Sequence, residues 1–204
     1  MFHSALSYYI LSVTDIQKEL GTMDPFPIEL NDKVKLVRLA PEHANELFRV
    51  VDANRTHLRS FLPWVDSTNS VKVIDEFIEK SLKMYSDCKA LHALLLHEED
   101  LVGIISHHHI DWGNKRCSIG YWLSEDHQGK GIMTEACRAF IRHAFTDYGL
   151  NRVEINTAID NVKSQAIPRR LGFSEEGTQR EAEWLYDYFV DHLCFALLKK
   201  DWKD

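Results

Sequence analysis

A lysine between two glycines, Gly129-Lys130-Gly131, lies where two hydrophobic patterns meet in this 204-residue chain. The preceding residues, Cys117–Leu123, are mostly apolar and aromatic, which predicts a strand. Apolar residues then recur at helical spacing and predict a helix from about Ile132 to Tyr148. The first turn of such a helix has unpaired backbone N–H groups at the positive end of its dipole, so this junction could bind an anion such as phosphate.

The pattern does not identify the anion, because a plain turn that needs glycine for its backbone angles would look the same. Two better-known phosphate motifs are excluded. The chain contains neither the GxxxxGK[ST] sequence of a P-loop nor the GxGxxG sequence of a dinucleotide-binding fold.

The residues around this junction resemble the acyl-CoA signature of the GNAT acetyltransferases. Gln128-Gly129-Lys130-Gly131-Ile132-Met133 is similar to the family's Q/R-x-x-G-x-G/A, with Met133 where glycine or alanine is usual. With Ile119–Leu123 before it and Thr134-Glu135-Ala136 after it, the segment is similar to the RimJ/RimL branch, which acetylates the N-terminal amines of ribosomal proteins. The resemblance extends from about Lys33 to Trp202.

The resemblance implies an α/β GNAT fold, a single mixed and mainly antiparallel sheet that is splayed at its centre and has helices on both faces. It also implies acetyl-CoA as the acyl donor. The pantetheine arm would pair with the backbone of Tyr121, Trp122 and Leu123, and the Leu123 N–H would polarise the thioester carbonyl. The residues implied for the pyrophosphate are Gln128, Gly129, Lys130, Gly131, Ile132, Met133 and Thr134.

A second segment, from Asn161 and Ser164 to Leu171-Gly172-Phe173, is similar to the family's second coenzyme motif. The resemblance implies that Asn161 binds the pantetheine amides and that Ser164 protonates the departing thiolate. A helix cap would explain Asn161 equally, and Ser164 could be a polar first-turn residue without a role. Tyr186 and Tyr188 are rival proton donors, because the pKa of a phenol is close to that of a thiol.

An acceptor amine must lose a proton before it attacks a thioester, and a carboxylate can accept that proton. Glu183 matches the position of the glutamate proposed as the base in RimL-like members, and Glu181, at the same strand parity, is the alternative. Both could instead be solvated strand residues. Trp64 lies in a segment, Leu58–Val65, that borders the acceptor pocket in the family, although core packing would explain both Trp64 and Phe61.

We therefore predict direct acetyl transfer from acetyl-CoA to a primary amine. A covalent enzyme intermediate is disfavoured, because no cysteine lies where a nucleophile would be expected. The acceptor is predicted to be a protein N-terminal amine, as on a ribosomal protein. The alternatives are a small amine (a polyamine, an amino acid or an amino sugar), a non-catalytic acyl-CoA-binding module, and a structural domain that binds no coenzyme.

The composition limits the partners. The net charge is −7 and no Lys/Arg stripe is present, which disfavours nucleic acid and suits an amine or a basic protein surface. Four scattered cysteines indicate reduced thiols in a cytoplasmic protein, and no apolar run is long enough to cross a membrane. No metal is expected at His107-His108-His109, because adjacent side chains on a strand point to opposite faces.

Residues 1–27 are predicted to be an extension and linker outside a core domain of residues 28–204, with Met23 as an alternative natural start. The extension lacks the basic start and cleavage site of a signal peptide. An exposed strand edge or this extension could support a homodimer.

The helices and strands that must position the site are predicted from the spacing of apolar residues and from the residues that typically begin or end such elements. Gly172 should end the second-motif helix, and Pro168 inside that helix predicts a kink. Strands are predicted at Val34–Leu39, Ala90–His97, Leu101–Ile110, Arg152–Ala158, Phe173–Glu183 and Phe189–Leu198, and helices at Pro41–Val51, Ser70–Tyr85 and Asp160–Leu171.

Overall fold

The computed structural model describes residues 25–203, which form one mixed sheet with helices on both faces. The strand order is β1-β2-β3-β4-β5-β6-β8-β7, and every neighbouring pair is antiparallel except β5 and β6. The strands are β1 (Ile28–Asn31), β2 (Val34–Arg38), β3 (Leu91–His97), β4 (Asp100–Asp111), β5 (Arg116–Leu123), β6 (Arg152–Ala158), β7 (Ser174–Leu185) and β8 (Tyr188–Leu198).

Each face of the sheet has its own buried core. The helices are α1 (Ala44–Ala53), α2 (Arg55–Arg59), α3 (Val71–Ser86), α4 (Ile132–Thr146) and α5 (Val162–Arg170). Apolar residues of α1 and α3 pack with Leu94 and Ile104, whereas Phe140 and Ile141 of α4 pack with Ile105 and their neighbours on the other face. This arrangement confirms the predicted mixed sheet covered on both faces.

The sheet is splayed at its centre, as predicted. β5 and β6 pair at only three positions, Arg116–Arg152, Cys117–Val153 and Ser118–Glu154. On its other side β5 stays paired with β4 as far as Leu123. Over Ile119–Leu123 the described part of the chain therefore supplies no strand partner on the β6 side.

The sequence missed one strand and misplaced several element ends. Strand β1 was not predicted, because its four residues are half-buried or exposed and give only a weak apolar signal. The β7–β8 hairpin is longer than predicted and leaves a two-residue turn, Tyr186-Asp187, with the Trp184 and Phe189 rings 4.7 Å apart across the strands. Helix α4 ends at Thr146 rather than Tyr148.

The predicted N-terminal extension lies almost wholly outside the described residues, although Phe26 packs against the core. In the described range no helix combines the length and apolar character needed to cross a membrane.

Within the histidine triplet, His107 and His108 lie on opposite faces of β4, as predicted, whereas His109 has φ +51° inside an irregularity of the strand that breaks the alternation. His107 is buried against Phe140 and His143 on the α4 side. His108 lies against His92 on the opposite face, and His109 is exposed. Residues 25–203 contain no group of three His, Cys, Asp or Glu side chains that could hold a metal ion.

Acid should destabilise this fold in the range where histidines titrate. Burial, together with the neighbouring histidine, lowers the pKa of His92 and of His108 from 6.5 to about 4. The unfolded chain therefore takes up protons at higher pH than the folded chain, and the free energy of unfolding should fall as the pH drops from about 6.5 to 4. Each residue should contribute about 3 kcal/mol to this fall.

Urea unfolding between pH 7.5 and 4.5 measures this fall. The double variant His92→Gln/His108→Gln should have a flatter pH dependence than the parent protein. An unchanged dependence would show that these imidazoles do not cause it.

Candidate active site

A cavity of about 1010 Å³ opens beside the splayed strands. Its walls are the C-terminal end of β5, the loop that follows it, the start of α4, the first turns of α5, and α2 with the residues after it. A volume of this size is at the upper end of the range for small-molecule sites and suits a large ligand such as a coenzyme.

The phosphate-type junction predicted from the sequence forms one wall of this cavity. Gly131 is the N-cap of α4 and has φ +80°, a left-handed conformation that favours glycine. The N–H of Glu135 donates to the Gly131 carbonyl at 3.1 Å. The N–H groups of Ile132, Met133 and Thr134 therefore precede the helical hydrogen-bond ladder, and the helix dipole favours an anion beside them.

Two basic side chains from α5 reach this wall, and sequence reasoning missed both. The Lys163 Nζ donates to the Gln128 Oε1 at 2.8 Å, and an Arg170 guanidinium nitrogen donates to the Thr134 Oγ1 at 2.8 Å. Both residues line the cavity. Their sequence positions alone gave no signal, because only the fold brings α5 against the start of α4.

The segment similar to the second coenzyme motif contacts β5 through Ser164. The Asn161 Oδ1 accepts a hydrogen bond from the Ser164 N–H at 3.0 Å, so Asn161 caps α5. The Ser164 hydroxyl donates to the Tyr121 hydroxyl, and that hydroxyl donates to the Ser164 carbonyl, each at 3.1 Å. Burial raises the pKa of Tyr121 far above its usual value, so this side chain remains a neutral phenol.

The rival proton donors lie elsewhere. The Tyr186 hydroxyl donates to the Leu62 carbonyl at 2.7 Å, and the Arg59 guanidinium lies 3.9 Å from the centre of its ring. Tyr188 is about half exposed. Of these three candidate proton donors, Ser164 lines the cavity and the two tyrosines, Tyr186 and Tyr188, do not.

The candidate acceptor residues lie on the face of the sheet that carries Trp122. The rings of Trp64 and Trp122 are 6.3 Å apart, and Trp64 packs against the core of α1 and α3. Phe61 and Leu62 line the cavity instead of Trp64. An acceptor contact by Trp64 remains a prediction.

Glu183 and Glu181 differ in their surroundings. The Glu183 Oε2 lies 3.4 Å from the His192 Nε2, with the carboxylate side chain about one-third exposed. Glu181 is exposed and has φ +51°, inside an irregularity of β7 between Gln179 and Glu183. The prediction that these two glutamates occupy equivalent positions on a regular strand is therefore wrong. Across the irregularity, an advance of four residues on β7 corresponds to an advance of only two residues on β8. Neither carboxylate lines the cavity.

Comparison with known proteins identifies relatives across most of the chain. The family model described as the acetyltransferase (GNAT) domain matches residues 33–174. The protein YdaF of Bacillus subtilis (strain 168) is 35% identical over 179 residues, which span 87% of this chain and 98% of YdaF. The ribosomal-protein-serine acetyltransferase of Escherichia coli (strain K12) is 31% identical over 169 residues, which span 83% and 94% of the two chains.

Solved structures share the fold. The microcin C7 self-immunity acetyltransferase MccE, crystallised in complex with acetyl-CoA and AMP, superposes with a TM-score of 0.81 at 32% sequence identity. The match covers 85% of this chain and 97% of the crystallised MccE chain. Together with the family match, this complex makes acetyl-CoA the ligand to test in the cavity.

Acetyl-CoA should stabilise the protein, and Gly131→Asp should remove most of that effect. At a hundred times its Kd, a ligand that binds only the folded state raises the free energy of unfolding by about 2.7 kcal/mol. A carboxylate at residue 131 would repel a diphosphate at the start of α4. Thermal unfolding with and without acetyl-CoA measures the difference.

Gly149→Asp is the matched control. Gly149 has φ +62°, and at both glycines no atom lies within 4 Å of an added Cβ, so the two substitutions impose similar backbone strain. Gly149 does not line the cavity, and its variant should keep the full ligand-induced shift. A full shift in Gly131→Asp would exclude the diphosphate from this junction.

Proposed function

Because this chain belongs to the GNAT acetyltransferase family and uses acetyl-CoA as its acyl donor, we propose that its acceptor is the N-terminal α-amine of a protein. The observation that carries this proposal is the similarity to the E. coli ribosomal-protein-serine acetyltransferase. The match spans 94% of that enzyme, so it includes the acceptor side of the fold as well as the coenzyme motif. An acceptor of this kind also fits the cytoplasmic location that the cysteine pattern predicts.

The splayed strands support the predicted mode of coenzyme binding. The β5 backbone at Tyr121, Trp122 and Leu123 can hydrogen-bond the amides of pantetheine, since β6 has diverged there. The Leu123 N–H would then polarise the thioester carbonyl, and the start of α4 with Lys163 and Arg170 would bind the phosphates.

The chemistry of the acceptor favours an α-amine. A protein α-amine has a pKa of about 7.7–8.0 and a lysine side chain about 10.4, so the α-amine gives up its proton far more readily near pH 7. A modest base on the Trp122 face suffices for such an acceptor. Glu183, paired with His192, is the carboxylate that we assign to this face.

Departure of coenzyme A requires a proton for the thiolate, and we assign its delivery to Ser164. This hydroxyl lines the cavity and donates a hydrogen bond to the neutral Tyr121 phenol, which holds the Ser164 side chain in place. Both groups lie beside the β5 backbone that would hold the pantetheine.

A screen of acceptors by thiol release tests the proposed substrate class. Peptides with a free N-terminal serine or alanine should release coenzyme A. The same peptides with a blocked N-terminus and an internal lysine should not, because their remaining amine is harder to deprotonate. Polyamines, amino acids and amino sugars form the competing arm.

A higher kcat/KM for any of these small amines than for every free-N-terminus peptide would overturn the proposal in favour of a small-molecule acceptor. Coenzyme binding without thiol release from any acceptor would indicate a non-catalytic acyl-CoA-binding module.

Ser164→Ala and Tyr121→Phe should distinguish the group that delivers the proton, Ser164, from the group that is hydrogen-bonded to it, Tyr121. Ser164→Ala should lower kcat by about 10²-fold with little change in acceptor KM, because the lost group acts only in the chemical step. Tyr121→Phe should lower kcat less, since the serine hydroxyl remains. Steady-state kinetics with both substrates varied measures this split, and an effect of Ser164→Ala confined to acceptor KM would refute its role as the acid.

A further inference from the structure

The strand register places His192 beside the gap, on the acceptor face. Ser118 of β5 pairs in parallel with Glu154 of β6, and extending that register by four residues places Trp122 opposite Ala158 across the gap, with both side chains on the same face. Ala158 in turn pairs with His192 of β8. Across the sheet the row therefore runs from Trp122, over the gap, to Ala158 and then to His192.

Glu183 lies further from the gap than His192 does. It is on β7, the edge strand, and β8 lies between β7 and β6. Neighbouring strands are about 4.8 Å apart, so the backbone of Glu183 is about 10 Å from β6, whereas that of His192 is about 5 Å away. In this row Ala158 of β6 is the only residue between the gap and His192. The imidazole does not itself line the cavity, but it is the first group of the row beyond the gap that can accept a proton.

The two side chains contact each other through defined atoms. The His192 Nε2 faces the Glu183 Oε2 at 3.4 Å, so the Nδ1 is the nitrogen left for a substrate. Their side chains are 18% and 33% exposed, so water and solutes can reach the pair. A separation of 3.4 Å can shorten when a charged substrate binds.

We propose that His192 is the catalytic residue that accepts the proton of the acceptor ammonium, and that Glu183 is a positioning residue acting through it. This assignment rests on the proposed amine acceptor. The ammonium N–H bond breaks and its proton moves to the Nδ1, while the Nε2–H donates to the Glu183 carboxylate. The freed nitrogen lone pair attacks the thioester carbon and the C–S bond breaks. Ser164 gives its proton to the departing thiolate, and the second amine proton, released as the amide forms, replaces the proton that Ser164 has given up.

Chemical rescue tests the assignment with whichever amine the acceptor screen identifies. His192→Ala should lower kcat/KM for the acceptor by about 10²-fold and leave the acetyl-CoA-induced thermal shift intact. Added imidazole should restore a large part of the rate in this variant but not in Glu183→Gln. The double variant should be no slower than His192→Ala alone, because the carboxylate acts only through the imidazole.

Gln179→Ala is the matched control, since Gln179 is paired directly with His192 on β7 and has no assigned role. It should keep the wild-type rate and show no response to imidazole. A wild-type rate in His192→Ala alongside a slow Glu183→Gln would overturn the proposal and make Glu183 the direct base. A slow His192→Ala without rescue, and with additive effects in the double variant, would overturn it as well.

These outcomes are distinct from a failure of the proposed function. If wild-type protein acetylates no amine, the acceptor assignment itself fails. If it acetylates a small amine instead of peptides, the substrate class is wrong, but the rescue experiment still decides the role of His192.

Discussion

The separation of β5 from β6 is the constraint on which the rest of the site depends. After three paired positions the parallel strands diverge, and one side of the β5 backbone from Ile119 to Leu123 has no strand partner among residues 25–203. Buried backbone groups need hydrogen-bond partners, and leaving one unmet costs about 1–3 kcal/mol. An extended ligand that carries amides, as pantetheine does, supplies those partners along the same edge. In the proposed mode of binding, the gap defines where the donor lies and where its thioester carbon is presented.

Contacts on both faces hold this gap in shape. On the α4 side, Tyr121 and Ser164 exchange two hydrogen bonds and connect β5 to α5 across the divergence. On the Trp122 side, Tyr186 at the tip of the hairpin donates to the carbonyl of Leu62 and packs under Arg59, which also pairs with Asp66. The edge hairpin is therefore anchored to the segment after α2, and the same hairpin carries Glu183 and His192.

Local signals were enough to predict the elements to which we assign the coenzyme. The apolar run of β5, the glycines at the start of α4 and the Asn161 cap of α5 lie close together in the sequence, and each has a local physical cause. The remaining features depend on contacts distant in sequence. Arg170 reaches Thr134 only because α5 packs beside α4, and the irregularity around Glu181 becomes visible only when β7 is aligned with β8. His192 gave no signal, because its position is defined by two successive strand registers.

The two faces of the gap also differ in the charge that they can bind. On the α4 and α5 side, Lys163, Arg170 and the first turn of α4 offer positive charge and N–H donors to the phosphates. On the Trp122 side, the Glu183 carboxylate is paired with a histidine, and the chain as a whole carries a net charge of −7, which favours the approach of an ammonium group. An anionic donor and a cationic acceptor can then enter from opposite faces without competing for the same groups. In the proposed reaction they meet where β5 and β6 have parted, and there the acceptor amine must become neutral before it can attack.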